Sequence, residues 1–191
     1  MEHVVDHYGL AFLFLIVFLE SAGVWVPGET ALVAAGVLAA RGHFWITEVI
    51  VLAALGAILG DNLGYWIGRI YGRKLFVRFG RLEAVLPRAE RFFRRHGGKA
   101  VFFARFIAGL RVTGAWMAGI SHMNWWRFLF WNALGGIAWA VTVALVAYYA
   151  GHAAADAISH YGLIGGGVIV AVLIVGFTAL HFWRRRVVEE S

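Results

Sequence analysis

Apolar runs long enough to enter or cross a bilayer occupy most of the chain: Tyr8 to Ala40, Phe44 to Ile70, Ala100 to Ile120, and Trp125 to Ala150 followed after a short break by Tyr161 to Trp183. A helical crossing takes about 20 apolar residues, so five or six passes would consume nearly all of the 191 residues and leave no room for a soluble catalytic domain. The charged fraction of 15% is well below the roughly 25% of soluble domains. The sequence therefore describes an all-α polytopic membrane protein, with residues 1–191 as a single membrane domain. The first apolar run lacks a preceding basic n-region and is expected to stay in the mature protein. There is no cysteine, hence no disulfide, thiolate metal site or cysteine nucleophile.

The first run, 33 residues, is too short for two full crossings and is interrupted at Pro27-Gly28. It is expected to fold back as a re-entrant segment over 8–40, a geometry tolerated only where protein or a water-filled cavity surrounds the broken backbone. Basic residues orient the remainder, and the net charge of +6 reflects that asymmetry rather than nucleic-acid binding. Arg69 to Lys99 holds ten of the 17 Lys and Arg residues and is expected in the cytoplasm with Arg184-Arg185-Arg186, whereas Gly151 to His160 holds none and is expected outside. A full crossing by Ala100 to Ile120 would place the triple arginine outside. A second re-entrant segment over 100–120, with Gly109, Gly114 and Gly119 as places to turn, satisfies every cluster. The resulting plan is a first repeat over 8–70, a cytoplasmic basic amphipathic segment over 71–99 that attracts anionic inner-leaflet lipid, a second repeat over 100–150 and a C-terminal transmembrane helix over 161–183.

The halves resemble each other. Ala22-Gly23-Val24-Trp25-Val26-Pro27-Gly28 matches Ala108-Gly109-Leu110-Arg111-Val112-Thr113-Gly114 at four of seven positions, and Asp61-Asn62-Leu63-Gly64 parallels Asn132-Ala133-Leu134-Gly135. Two broken segments entering from opposite sides form the pattern of an inverted-topology repeat, whose halves meet to make a binding site.

Charges inside a membrane are costly and therefore paired or functional. Glu20 and Glu29 lie in the first dip, Asp61 in the next helix, and Arg105 and Arg111 in the second dip. One reading makes them structural ion pairs, Arg105 with Glu29 and Arg111 with Glu20 or Asp61. The other gives Arg105 and Arg111 a substrate-binding role, because planar guanidinium forks hold phosphate bidentately, with Glu20, Glu29 and Asp61 as proton-coupling or gating groups. Trp125, Trp126 and Trp183 read as interfacial belt residues. Of the eight histidines, His122 alone lies near the second dip; no metal and no cofactor are expected.

These residues resemble the DedA family of the VTT superfamily: Glu20 with Pro27-Gly28-Glu29, Gly60-Asp61-x-x-Gly64-Tyr65-x-x-Gly68-Arg69, Phe102-x-x-Arg105-Phe106, Arg111, and Ala118-Gly119-x-x-x-Met123. The usual proline after the Arg-Phe pair is Ala108 here, which moves the expected kink to Gly109. The resemblance implies a bacterial inner-membrane protein with two opposed re-entrant hairpins. It implies translocation of a phosphate-bearing lipid such as undecaprenyl phosphate, or of phosphatidylethanolamine, with dependence on proton motive force. It also implicates Glu20, Glu29, Asp61, Arg105 and Arg111. A proton-coupled small-solute transporter shares the same repeat logic. A membrane enzyme is disfavoured, since neither H-E-x-x-H nor G-x-S-x-G occurs; a purely structural scaffold and an oligomeric assembly stay open. In this cysteine-free chain, single cysteines introduced near Lys99 and near Asn124 should both react with impermeant reagents from the cytoplasmic side. Labelling from opposite sides would exclude the second hairpin.

Overall fold

A computed structural model describes residues 2–78, 95, 97–107 and 110–155. Among these, six helices and no strands occur: α1 (Glu2–Ala22), α2 (Gly28–Ala40), α3 (Ile46–Arg78), α4 (Gly98–Ala104), α5 (Leu110–Ile120) and α6 (Trp125–Ala155). Two stretches, Ile46–Gly72 within α3 and Trp125–Ala155, are long and apolar enough to cross a membrane. The chain divides into two compact units, 1–148 and 149–191; of the second, only 149–155, the end of α6, is described. Most of the basic segment 71–99 and the helix expected over 161–183 lie outside the described residues, although α3 runs unbroken through its first part, to Arg78.

The helix ends follow local chemistry. Gly23 takes φ +112°, its N–H bonds the Glu20 carbonyl at 3.1 Å, and the Val24 N–H bonds the Leu19 carbonyl at 2.9 Å, so a left-handed glycine closes α1 in a Schellman turn. The break in the first apolar run therefore begins at Gly23, earlier than the Pro27-Gly28 interruption. Pro27 instead caps the start of α2, where its missing N–H costs nothing. Gly42, φ +83°, closes α2 in the same way through Gly42 N–H to Ala39 and His43 N–H to Leu38. The third such turn ends α5 on a non-glycine residue, His122 at φ 52°, with Met123 N–H reaching the Ala118 carbonyl at 3.1 Å. Asn124 then starts α6, its side chain accepting from the Arg127 N–H at 3.2 Å.

Close backbone approaches show how the helices run. The Phe14 and Phe18 backbone lies against Gly56 and Gly60, so α1 travels in the direction of α3; Trp116 and Ile120 lie against Gly64, Gly68 and Gly72, so α5 does too. Helix α6 is antiparallel to α3, with Phe128 stacked on Tyr65 at 4.6 Å and the Asn132 amide bonded to the Ile58 carbonyl at 3.2 Å. Helix α2 turns back from α1 onto α6, where Gly36 meets Ala144 and Ala147. Helix α4 follows α6, Gly98 beside Trp131 and Gly135 beside Phe102. The α1–α2 and α4–α5 hairpins thus approach Asp61 from opposite ends of α3. The second turns between Ala104 and Leu110; Ala108 and Gly109, where the kink was expected, lie outside the described residues. Gly114 and Gly119, the other turning points expected from spacing, are instead helical residues of α5, because their role is close packing: a Cβ at Gly119 would strike the Tyr65 carbonyl.

Two apolar cores result. One joins Leu13, Val17, Leu32, Val49, Ala57, Trp139 and neighbouring small residues from α1, α2, α3 and α6; the other joins Tyr65, Val101, Met117, Ala118, Ile120 and Phe128. Small residues carry the packing, as expected where lipid removes the hydrophobic drive between helices and close van der Waals contact replaces it. The second core is pinned by Arg69, whose Nη1 donates to Tyr65 Oη at 2.5 Å and to the Met123 carbonyl at 3.0 Å, while Tyr65 Oη donates to the same carbonyl at 2.5 Å. Gly68 and Gly119 sit where backbone meets backbone. Gly68→Ala and Gly119→Ala should each lower stability by about 1–3 kcal/mol through overpacking. Gly114→Ala, facing one methyl group at 3.3 Å, should cost less; thermal unfolding in detergent reads the order.

Candidate functional site

Between the two cores lies a polar layer, and α3 is thinned to admit it. Gly60 lets the Phe18 carbonyl and the Ser21 side chain close in from α1, and Gly64 receives the Trp116 ring from α5, so both hairpins reach the segment that carries Asp61. Arg105, the first residue past α4, extends its guanidinium across to α3. Its Nη2 donates to Asp61 Oδ2, to Asn132 Oδ1 at 2.7 Å and, at 3.4 Å, to the Ala57 carbonyl. Gly135 and Gly136 of α6 lie alongside it: a Cβ on Gly136 would lie 3.6 Å from Arg105 Cζ, an ordinary contact, and 3.0 Å from the Ile58 side chain. Arg105, Asp61 and Asn132 are 4%, 3% and 0% exposed, so the charges have left water almost completely, and such a pair persists only with good geometry and further hydrogen bonds. Two buried atoms remain without a hydrogen-bond partner, Arg105 Nη1 and Asp61 Oδ1.

Arg111 forms a second, more open cage. Standing in the first turn of α5, it meets Glu20 at 2.6 Å and Glu29 at 3.8 Å, and its Cζ lies 5.0 Å from the Trp139 ring centroid, a cation–π arrangement. Glu20 is at the C-terminal turn of α1, where the helix dipole opposes a carboxylate; Arg111 offsets this. Gly28 at the start of α2 leaves space for this carboxylate: a Cβ there would occupy the place of Glu20 Oε2, so Glu20 would have to shift. Glu29 lies in the first turn of α2, where the dipole favours it, and remains half exposed, 49%. The Trp116 indole donates to the Ala22 carbonyl at 3.3 Å and fastens α5 to the end of α1.

All five charged residues singled out in the sequence thus gather in two neighbouring cages, with the Arg111–Glu20 pairing as expected and the others different. Arg105 bridges Asp61, not Glu29, because the turn after α4 lies on α3; Arg111 takes both Glu20 and Glu29, and Asp61 is not its ion-pair partner, because the start of α5 faces the first hairpin. Asn132 and Trp139 were not identified as site residues. A buried asparagine in an apolar helix and its alignment with Asp61 were the available signals for the first; nothing local separated Trp139 from other tryptophans. Trp126 is 69% exposed, as a belt residue would be, but Trp125 is tied to α3 by its indole N–H to Asn62 Oδ1 at 3.0 Å. Trp183 lies outside the described residues. Among the described residues, no group of three His, Asp or Glu side chains could hold a metal ion.

Membrane-length apolar helices enclosing a charged, caged layer define an integral membrane protein. Residues 26–153 match the VTT domain. Protein DedA of Escherichia coli K12 is 32% identical over 186 residues, covering 91% of this chain and 84% of that protein. Inner membrane protein YohD of the same organism is 30% identical over 193 residues, covering 97% and 94%. An uncharacterized membrane protein of Synechocystis is 37% identical over 155 residues, covering 79% and 71%. No solved structure matches the chain. The chain belongs to the DedA family of VTT-domain membrane proteins.

The observed pairing makes a double-mutant cycle decisive. Arg105→Gln or Asp61→Asn alone should cost about 3–5 kcal/mol by leaving a buried charge uncompensated, and the double variant should regain much of it. Arg105→Gln with Glu29→Gln should show no such recovery. Thermal unfolding of the purified protein in detergent measures both cycles.

Proposed function

We propose that the protein is a lipid translocase that moves a phosphate-bearing lipid across the bacterial inner membrane, with undecaprenyl phosphate as the lipid to which the family resemblance points. In this reading the two hairpins are re-entrant halves of an inverted repeat, the basic segment 71–99 and the C-terminus lie in the cytoplasm, and the headgroup passes between the hairpins while its tail stays in lipid. The observation that carries the proposal is the pair of guanidiniums from one hairpin region, each held by carboxylates from elsewhere in the fold, in a layer between two apolar cores. Such forks fit phosphate oxygens, and an incoming phosphate competes with the carboxylates for the same donors.

The charge balance favours coupling to protons. Two guanidiniums face three carboxylates, Glu20, Glu29 and Asp61, so an anion can replace them without excess negative charge only as carboxylates take up protons. A proton gradient would then drive release and reloading of the site. Arg111 is the first contact, because the half-exposed Glu29 borders it, and Arg105 engages when the deeper cage opens.

Arg105→Lys and Arg111→Lys keep the charge but lose the bidentate fork. Reconstituted in liposomes, each should remain folded and lose lipid flipping, by about tenfold or more if one charge-assisted hydrogen bond to the phosphate is lost. Retention of full flipping by Arg111→Lys would contradict the assignment.

A further inference from the structure

The Arg105 cage is built from two matching positions, of which one is charged. Asp61-Asn62-Leu63-Gly64 in α3 and Asn132-Ala133-Leu134-Gly135 in α6 carry leucine and glycine at the same offsets. Their first residues converge on one nitrogen: Arg105 Nη2 donates to Asp61 Oδ2 and to Asn132 Oδ1. Three residues further on, Gly64 faces Trp116 of α5 and Gly135 lies beside Phe102 of α4, so each segment sets its glycine against one arm of the second hairpin. Asp61 and Asn132 are nearly isosteric and both buried. Their difference in charge sets the balance of the cage. One guanidinium meets one carboxylate; an Asp at 132 would add a second, and an Asn at 61 would remove the only one.

We propose that Asn132 is the neutral counterpart of Asp61, a positioning residue that completes the Arg105 cage and fixes the orientation of its guanidinium. Its own orientation is secured by its amide, which donates to the Ile58 carbonyl of α3 at 3.2 Å and leaves Oδ1 to face the arginine. The equivalence of the two positions stands independently of the translocase reading; the effect of Asn132 on lipid flipping rests on it.

The test is an exchange. Asp61→Asn, Asn132→Asp and the double variant are purified as full chains. Their melting temperature is measured in detergent, and flipping of a fluorescent polyprenyl phosphate is measured in phosphatidylethanolamine–phosphatidylglycerol liposomes. Each single variant should melt lower and flip about tenfold more slowly or worse, and the exchange should recover both readouts, which an asparagine that merely fills space would not allow. If Asp61→Asn does not fold, Asn132→Asp and the exchanged chain still decide the matter. An exchanged chain that melts no higher than the worse single variant, or that cannot be obtained folded, overturns the equivalence, as does Asn132→Asp with unchanged melting and flipping. If melting recovers while the unaltered protein flips no phosphate lipid, the equivalence is supported and the translocase reading fails. If the unaltered protein flips and the exchange restores melting alone, Asn132 serves the scaffold only and its positioning role in transport is overturned.

Discussion

A guanidinium buried among apolar helices persists only if something answers its charge and its hydrogen bonds, and the contact of Arg105 with Asp61 and Asn132 does both. Much of the architecture follows from accommodating it. The cage interrupts what would otherwise be one continuous apolar core, leaving separate clusters on either side. Glycines at 60 and 64 remove side chains where the two hairpins close on the segment that carries the carboxylate. Replacing such an ion pair by well-packed hydrophobic residues is often neutral or stabilising, so stability alone does not explain its presence.

The two cages differ in exposure and in the elements they join. Around Arg105 every charged partner is buried, and the arginine joins α3, α6 and the turn after α4. Around Arg111 the partners come from α1 and α2, one of them half exposed, with an aromatic ring from α6 behind. Separating the hairpins would break the Arg111 contacts to the first hairpin while leaving the contacts of Arg105 to α3 and α6 intact. The Arg111 cage therefore depends on contact between the hairpins, and the Arg105 cage on α3 and α6.

Helix endings repay the same attention as the charges. Three Schellman turns close α1, α2 and α5, two on glycine and one on His122. The histidine at the edge of the second hairpin thus has a structural explanation: it occupies the left-handed position that ends α5 and lets the Met123 carbonyl receive Arg69 and Tyr65. A residue that stood out as a lone titratable group is accounted for by backbone geometry.

The sequence by itself determined that the chain is helical and membrane-embedded, that the first apolar run breaks, and which charged residues are exceptional, because apolar length and the cost of charge in lipid can be read along one dimension. It also placed Asp61 opposite Asn132 in an internal comparison. Which carboxylate meets which guanidinium was decided only by the tertiary structure. That pairing depends on where along α3 each hairpin is admitted, and glycine packing and helix direction set this rather than spacing in the chain. For the same reason Gly114 and Gly119, legible as turning points, proved to be contact points, and Asn132 became a partner of Arg105 only once α6 was laid antiparallel against α3.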